Sequence, residues 1–232
     1  MTSSATDLAL ALQVADSAFP SGAFSASWGI EGMHASGLIV DAATLESIVR
    51  QQVEHRWATS DRWFVAHGFS ATVDIARLRE LDQLCEITMV APVARATSRR
   101  GGLAMVSAHG SIGVTGTGDS ANRFSELKSM IESGKTHGHL PVMHGVVLAT
   151  IGLPLEAAIV TSGMQFVQAL CSAALRLGVV GHLDAQRVVS VGRRLVVAGC
   201  AMPLEDWPSA NVPDADIAML AHPHSDHRLF SC

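Results

Sequence analysis

Apolar residues recur along this chain at helical spacing. Leu45, Ile48, Val49, Val53 and Trp57 fall on one face of a helix that Asp41 is placed to cap. Asp74 opens a second stripe with Ile75, Leu78, Leu81 and Cys85. Residues 95–112 predict a third, more weakly patterned helix. A glycine-rich gap, 113–120, follows, and then a short helix at 121–132. Pro154 suits the first position of a long helix that runs to Leu177 and closes near Gly178. Asp184 is expected to cap the next, with Val188, Val191 and Leu195 inward. Residues 203–213 read as a linker anchored by Trp207, and a last short helix runs from Asp214 to Ala221. Strand alternation of useful length is missing from the pattern. The expected fold is all-α: a single compact domain of about eight to ten helices, mostly antiparallel. It spans residues 1–232, with a flexible N-terminus at 1–6 and a flexible tail at 222–232.

Composition sharpens this picture. Charged residues make up 16% of the 232, against about 25% in an ordinary soluble domain, while 48% are hydrophobic. So few charges leave two readings open, an apolar patch covered by a partner or a compact alanine-rich surface. The net charge of −5, with 16 Lys and Arg spread along the chain, argues against nucleic acid and anionic membranes as partners. Cys85, Cys171, Cys200 and Cys232 are widely spaced and form no C-x-x-C, which suits free thiols in a reducing cytosol. The N-terminus lacks the basic start of a secretory signal. The apolar run from Val142 to Val160 is broken by His144, Gly145, Gly152, Pro154 and Glu156, a poor membrane span.

Several patterns suggest chemistry and then fail on a required residue. Gly113-x-x-x-x-Gly118 resembles a phosphate-binding loop, but Asp119 stands where a lysine must reach the phosphates. Ser125-x-x-Lys128 lacks its companion motifs and reads as a solvent-facing helix. His222, His224 and His227, with Asp226 between them, are the weak metal candidates. Their polar tail offers no held geometry, so adventitious binding is the plainer reading. His137, His139 and His144 form a second group, more simply read as loop histidines bonded to backbone. The pairs Glu205/Asp206 and Asp214/Asp216 are explained by capping and solvation.

Two segments stand out instead. Residues 15–31 place Pro20, Gly22 and Gly29 among Phe19, Phe24 and Trp28, a tight turn held by aromatics. At the other end, Arg228, Leu229 and Phe230 close the chain on a cation and two large apolar groups. Such an end either docks on its own domain or anchors another protein.

Four blocks, in order, resemble the urease accessory protein UreF family. Residues 15–31 resemble its D-S-x-x-P-x-G-x-[FY] turn followed by Gly-[LI]-Glu. Residues 138–145 resemble its G-H-x-P-V-x-x-G, and residues 172–187 its S-A-x-x-R-L and Q-R helix pair. Residues 216–231 resemble its D-I-x-x-x-x-H and R-L-F-x-S ending. Ala26, the glycine-rich 109–120 and the additional His224 and His227 depart from the family pattern. The resemblance implies an all-helical, non-catalytic, cytoplasmic chaperone. It would work with UreD (also called UreH) and the GTPase UreG to insert nickel into apo-urease. It also implies a homodimer with no tightly bound cofactor and nickel at most in transit. In that reading Pro20, Gly22 and Phe24 form a recognition turn and His222 and Arg228 position the tail. Leu229 and Phe230 then fill an apolar groove on UreD. The block at 138–145 ends one helix and starts the next rather than binding anything. A histidine-tail metal protein and an unrelated helical scaffold remain the alternatives.

Overall fold

Asp41 opens the longest helical rod, as its spacing predicts. In this computed structural model, which describes residues 4–16, 18–20, 26–113, 118–221 and 229–230, its carboxylate accepts the Thr44 N–H at 2.8 Å. Thr44 Oγ1 accepts the Asp41 N–H in return at 3.1 Å, a reciprocal cap. Helix α3 (Ala42–Gln52) then runs without a break through a π-helical segment (Val53–Asp61) into α4 (Arg62–Ser70). The wider π turn changes the inward face. It buries Arg56, Ala58 and Ser60 together with Trp57, where the apolar period from Leu45 predicts Trp57 alone.

The remaining helices are α1 (Ala5–Ala15), α2 (Ile30–Ala35), α5 (Ile75–Thr88), α6 (Pro92–Ile112), α7 (Gly118–Glu132), α8 (Leu140–Thr150), α9 (Leu155–Arg176), α10 (His182–Ala201) and α11 (Pro213–Ala221). With α3–α4 counted as one rod, that makes ten helical rods among the described residues, and no strand. Asp74 caps α5 by accepting the Arg77 N–H at 3.0 Å, as expected. Helix α6 starts earlier than its apolar pattern because Pro92 serves as its first residue. Two expectations shift. Pro154 is the cap residue of α9 rather than its first helical position. Gly181, not Asp184, caps α10, and Asp184 sits inside the first turn, paired with Arg187 at 2.5 Å. The apolar run beginning at Val142 is divided between α8 and α9 at Gly152, whose φ of 89° ends the first helix.

Helix α9 is the hub. It meets α1, α2, α3, α4, α8 and α10. By length and composition it would cross a membrane, yet 61% of that stretch is buried inside the protein. One buried cluster gathers Trp28, Ile30, Met33, Leu45, Val49 and Trp57 around α9, α10 and α11. A second gathers Phe64, Leu78, Leu81, Met105, Phe124 and Val146 around α4 to α8, and Leu140 packs against both. Helices α4 and α8 touch backbone to backbone. A Cβ on Gly145 would lie 2.2 Å from the Val65 carbonyl oxygen and 2.5 Å from the Phe69 nitrogen. A Cβ on Gly68 would lie 2.6 Å from the Val142 oxygen.

No flexible side chain there can move aside, so Gly145→Ala must part the two helices. It is expected to cost at least about 3 kcal/mol, at or above the upper end for overpacking. Gly181→Ala meets nothing within 4 Å and should cost about 1 kcal/mol at most, through the poorer cap residue alone. Urea unfolding of the two variants measures the difference.

Candidate functional site

The two chain ends meet on one carboxylate. Glu31, in the first turn of α2, accepts the Leu229 N–H on Oε1 at 2.6 Å and the Phe230 N–H on Oε2 at 3.2 Å. The local sequence aims Glu31 at the tail. Trp28 and Gly29 both hold positive φ, 52° and 91°, which turns the chain sharply into α2. Ser27 Oγ accepts the Glu31 N–H at 3.4 Å. Helix α11 lies directly on α2, because a Cβ on Gly32 would fall 2.7 Å from the Ala218 oxygen.

The tail's two apolar side chains separate. Phe230 joins the core cluster at 7% exposure, with the Arg176 guanidinium 4.3 Å above its ring. Leu229 stays 64% exposed. Of the two options left by the sequence, self-docking describes Phe230. In the isolated chain that ring fills the protein's own core. Leu229 is the side chain that remains outward. Leu38, Val40, Ile217 and Leu220 are also exposed. A hollow of about 180 Å³ lies between α2 and α11, lined by Leu38, Ile217 and Ala218 among others. Of the predicted turn, Pro20 is exposed, and Phe19 is buried with its ring 4.7 Å from that of His109. Gly22, Phe24, His222, His224, His227 and Arg228 lie outside the described residues, as do the flexibility expected at 222–228 and the thiol of Cys232. Among the described residues no group of three or more His, Cys, Asp or Glu side chains is placed to hold a metal.

Beneath this face lies a buried ion pair that the sequence did not single out. Arg56 meets Asp61 at 3.5 Å, and its guanidinium stacks between the rings of Trp28, 4.4 Å away, and Phe166, 5.2 Å away. Burial pushes the Asp61 carboxyl up, against the pull of Arg56. Only the π turn brings both groups inward, and a 3.6-residue pattern carries no sign of it. Nearby, His144 lies 2.7 Å from Gln165 Oε1, while Gln165 Nε2 donates to the Val14 carbonyl at 2.7 Å. The amide orientation makes His144 Nε2 the donor, and burial holds the ring neutral, with its pKa down at about 4.

The block at 138–145 starts α8, as the sequence suggests, although α7 already ends at Glu132. Asp82, fully buried on α5, accepts from Thr136 Oγ1 at 2.5 Å and from the Gly138 and His139 N–H groups at 2.8 Å each. His139 is the cap residue of α8. Its Nε2 lies 2.8 Å from Glu86, and its Nδ1 lies 3.1 Å from Ser98 Oγ. Ser98, His139 and a carboxylate in series resemble a hydrolytic triad. Here Ser98 and His139 are fully buried, and Ser98 Oγ also accepts the Leu140 N–H at 3.1 Å. The array ties α5 and α6 to the start of α8.

Comparison with known proteins points one way. The UreF family model matches residues 39–191. The chain is 27% identical to the urease accessory protein UreF of Trichodesmium erythraeum, over 95% of this chain and 94% of that one. It is 31% identical to the UreF of Rhodopseudomonas palustris strain BisB18, over 92% and 87% respectively. It is 28% identical to a UreF-like urease accessory protein of Schizosaccharomyces pombe, over 77% and 75%. Glu31 and Phe230 lie outside the family-model match.

Two outcomes follow from this geometry. Glu31→Ala should free the tail, so limited proteolysis should cut after Arg228 much faster than in wild type while the core resists. Glu86 gives a pH signature. The hydrogen bond from Arg99, followed by that from His139, holds its carboxyl down at about 2. A lowered carboxylate pKa stabilises the fold above the ordinary value of 4.5, and that stability is lost as pH falls toward about 2. The gap in Tm between wild type and Glu86→Gln should therefore be widest near neutral pH and close across that acid window.

Proposed function

The chain belongs to the UreF family of urease accessory proteins, and on that premise we propose that it is a non-catalytic chaperone for nickel loading of apo-urease. It works with UreD and the GTPase UreG in the cytosol, as a homodimer, with nickel as cargo rather than resident cofactor. The family membership and the names of its relatives support the urease assignment. The observation that supports the partner-binding role is the latch. One carboxylate holds the tail backbone through two N–H groups and leaves Leu229 outward.

The physical logic is preorganisation. A free tail loses conformational entropy when it binds, whereas a tail already held by Glu31 and by burial of Phe230 has lost much of it beforehand. Burial of the Phe230 ring is worth about 1.5–3 kcal/mol, which is enough to keep the tail seated. UreD then meets a fixed surface made of Leu229, of Leu38 and Val40 just after α2, and of Ile217 and Leu220 on α11. Low charge density fits such a surface, since interface centres are depleted of charge.

Co-expression with UreD and UreG followed by size exclusion tests this reading. Wild type should elute with UreD. Deleting residues 222–232 should abolish that complex, and Leu229→Asp should weaken it by about tenfold or more, with Tm unchanged. A UreD complex indifferent to both changes would refute the assignment.

A further inference from the structure

Among the described residues, Trp28 is the one other than glycine that holds a positive φ, 52°. A bulky side chain persists in the left-handed region only where its surroundings over-determine it. Two side chains four positions apart on the α3–α4 rod supply that hold. Gln52 Nε2 donates to the Trp28 carbonyl at 3.4 Å, and the Arg56 guanidinium lies 4.4 Å from the centre of the indole. Both side chains are buried, and among the described residues neither Gln52 Oε1 nor Arg56 Nη1 has a hydrogen-bond partner. Apolar side chains would fill the same volume without that penalty. The polar pair therefore answers to geometry rather than to stability.

Arg56 also reaches the other elements that frame the tail. Its guanidinium lies 5.2 Å from the ring of Phe166 on α9, the helix whose Arg176 covers the Phe230 ring. Asp216, in the first turn of α11, feels its charge: burial pushes that carboxyl up, against the pull of Arg56. Helix α11 in turn lies against the turn itself, because a Cβ on Gly29 would fall 3.0 Å from the Ala215 oxygen. The turn, α9 and α11 thus converge on one guanidinium. Glu31 follows Trp28 by a single helical turn, so its direction is set where the Trp28 backbone is set.

We propose that Arg56 is a positioning residue of the tail latch: stacked on Trp28, it locks the left-handed turn and so sets Glu31 where the Leu229 and Phe230 N–H groups meet it. Its use in partner binding rests on the chaperone reading above. Lysine keeps the charge that faces Asp61 but lacks the planar fork that stacks on a ring, so Arg56→Lys removes the lock alone. The turn then relaxes toward ordinary φ, and Glu31 leaves the tail.

Amide hydrogen exchange on the full chain tests this. In Arg56→Lys the Leu229 and Phe230 amides should exchange at least about tenfold faster than in wild type. The Gly138 and His139 amides, bonded to Asp82 on α5, should keep their protection, which a general loss of stability would not allow. In a Glu31→Ala background, Arg56→Lys should add nothing to tail exchange. Trp28→Leu removes the aromatic face and keeps the pair of Arg56 with Asp61. It should act as Arg56→Lys does, and it decides the matter if Arg56→Lys does not fold. Tail exchange unchanged in the folded variant, or equal acceleration at Gly138 and His139, overturns the proposal. UreD affinity measured on the same samples separates the two readings. Faster tail exchange with UreD binding unchanged upholds the role of Arg56 and overturns docking of UreD on the latched tail.

Discussion

Close approach of helix backbones is the constraint on which the rest of this structure depends. Gly68 and Gly145 let α4 and α8 meet with no side chain between them, and Gly102 lets α6 touch the Gly138 carbonyl. Gly29 and Gly32 do the same for α2 beneath α11. Glycine at a contact removes the side chain that would otherwise hold two helix axes apart. The composition fits this: many small apolar residues and few charges, with Trp57, Phe64 and Phe124 filling the space that the close contacts leave. Closeness of this kind also fixes geometry. A helix held backbone to backbone cannot rotate without a clash, so what it carries on its outer face is held in place.

That rigidity gives the latch its meaning. Glu31 can receive two tail N–H groups because the turn at Trp28 and Gly29 and the α2–α11 contact set its position. A buried carboxylate is costly unless its oxygens are hydrogen-bonded, and the tail backbone supplies donors to both of them. The dependence therefore runs in both directions. The tail needs Glu31 for its position, and Glu31 draws on the tail for its solvation. The block at 138–145 plays a parallel role inside the molecule, where Asp82 gathers a loop's N–H groups and starts α8.

Much of this was legible in the sequence because caps and stripes are local. Asp41 and Asp74 open helices where their spacing says they should, and Gly178 closes α9 with a φ of 75°. The π turn was not legible, since its signal is one additional residue per turn and the 3.6-residue pattern persists on both sides. Arg56 and Asp61 were missed for that reason. The motifs at residues 15–31 and 216–231 mark both segments, but their pairing through Glu31 and the inward turn of Phe230 depend on a tertiary pocket and on Arg176. Trp207, which is 71% exposed, was misread because a large apolar residue in a linker looks like an anchor. The true anchors, Arg62 and Trp63, sit well over a hundred residues earlier in the chain and donate to the Met202 and Glu205 carbonyls.

The central claim is that Glu31 acts on partner binding through the tail. A double-mutant cycle on UreD affinity tests it most directly, with wild type, Glu31→Ala, deletion of residues 222–232, and both changes combined. The account predicts that the combined variant binds no more weakly than the tail deletion alone, because the tail that Glu31 positions is already gone. Losses that simply add would contradict it and would show that Glu31 and the tail act on UreD independently.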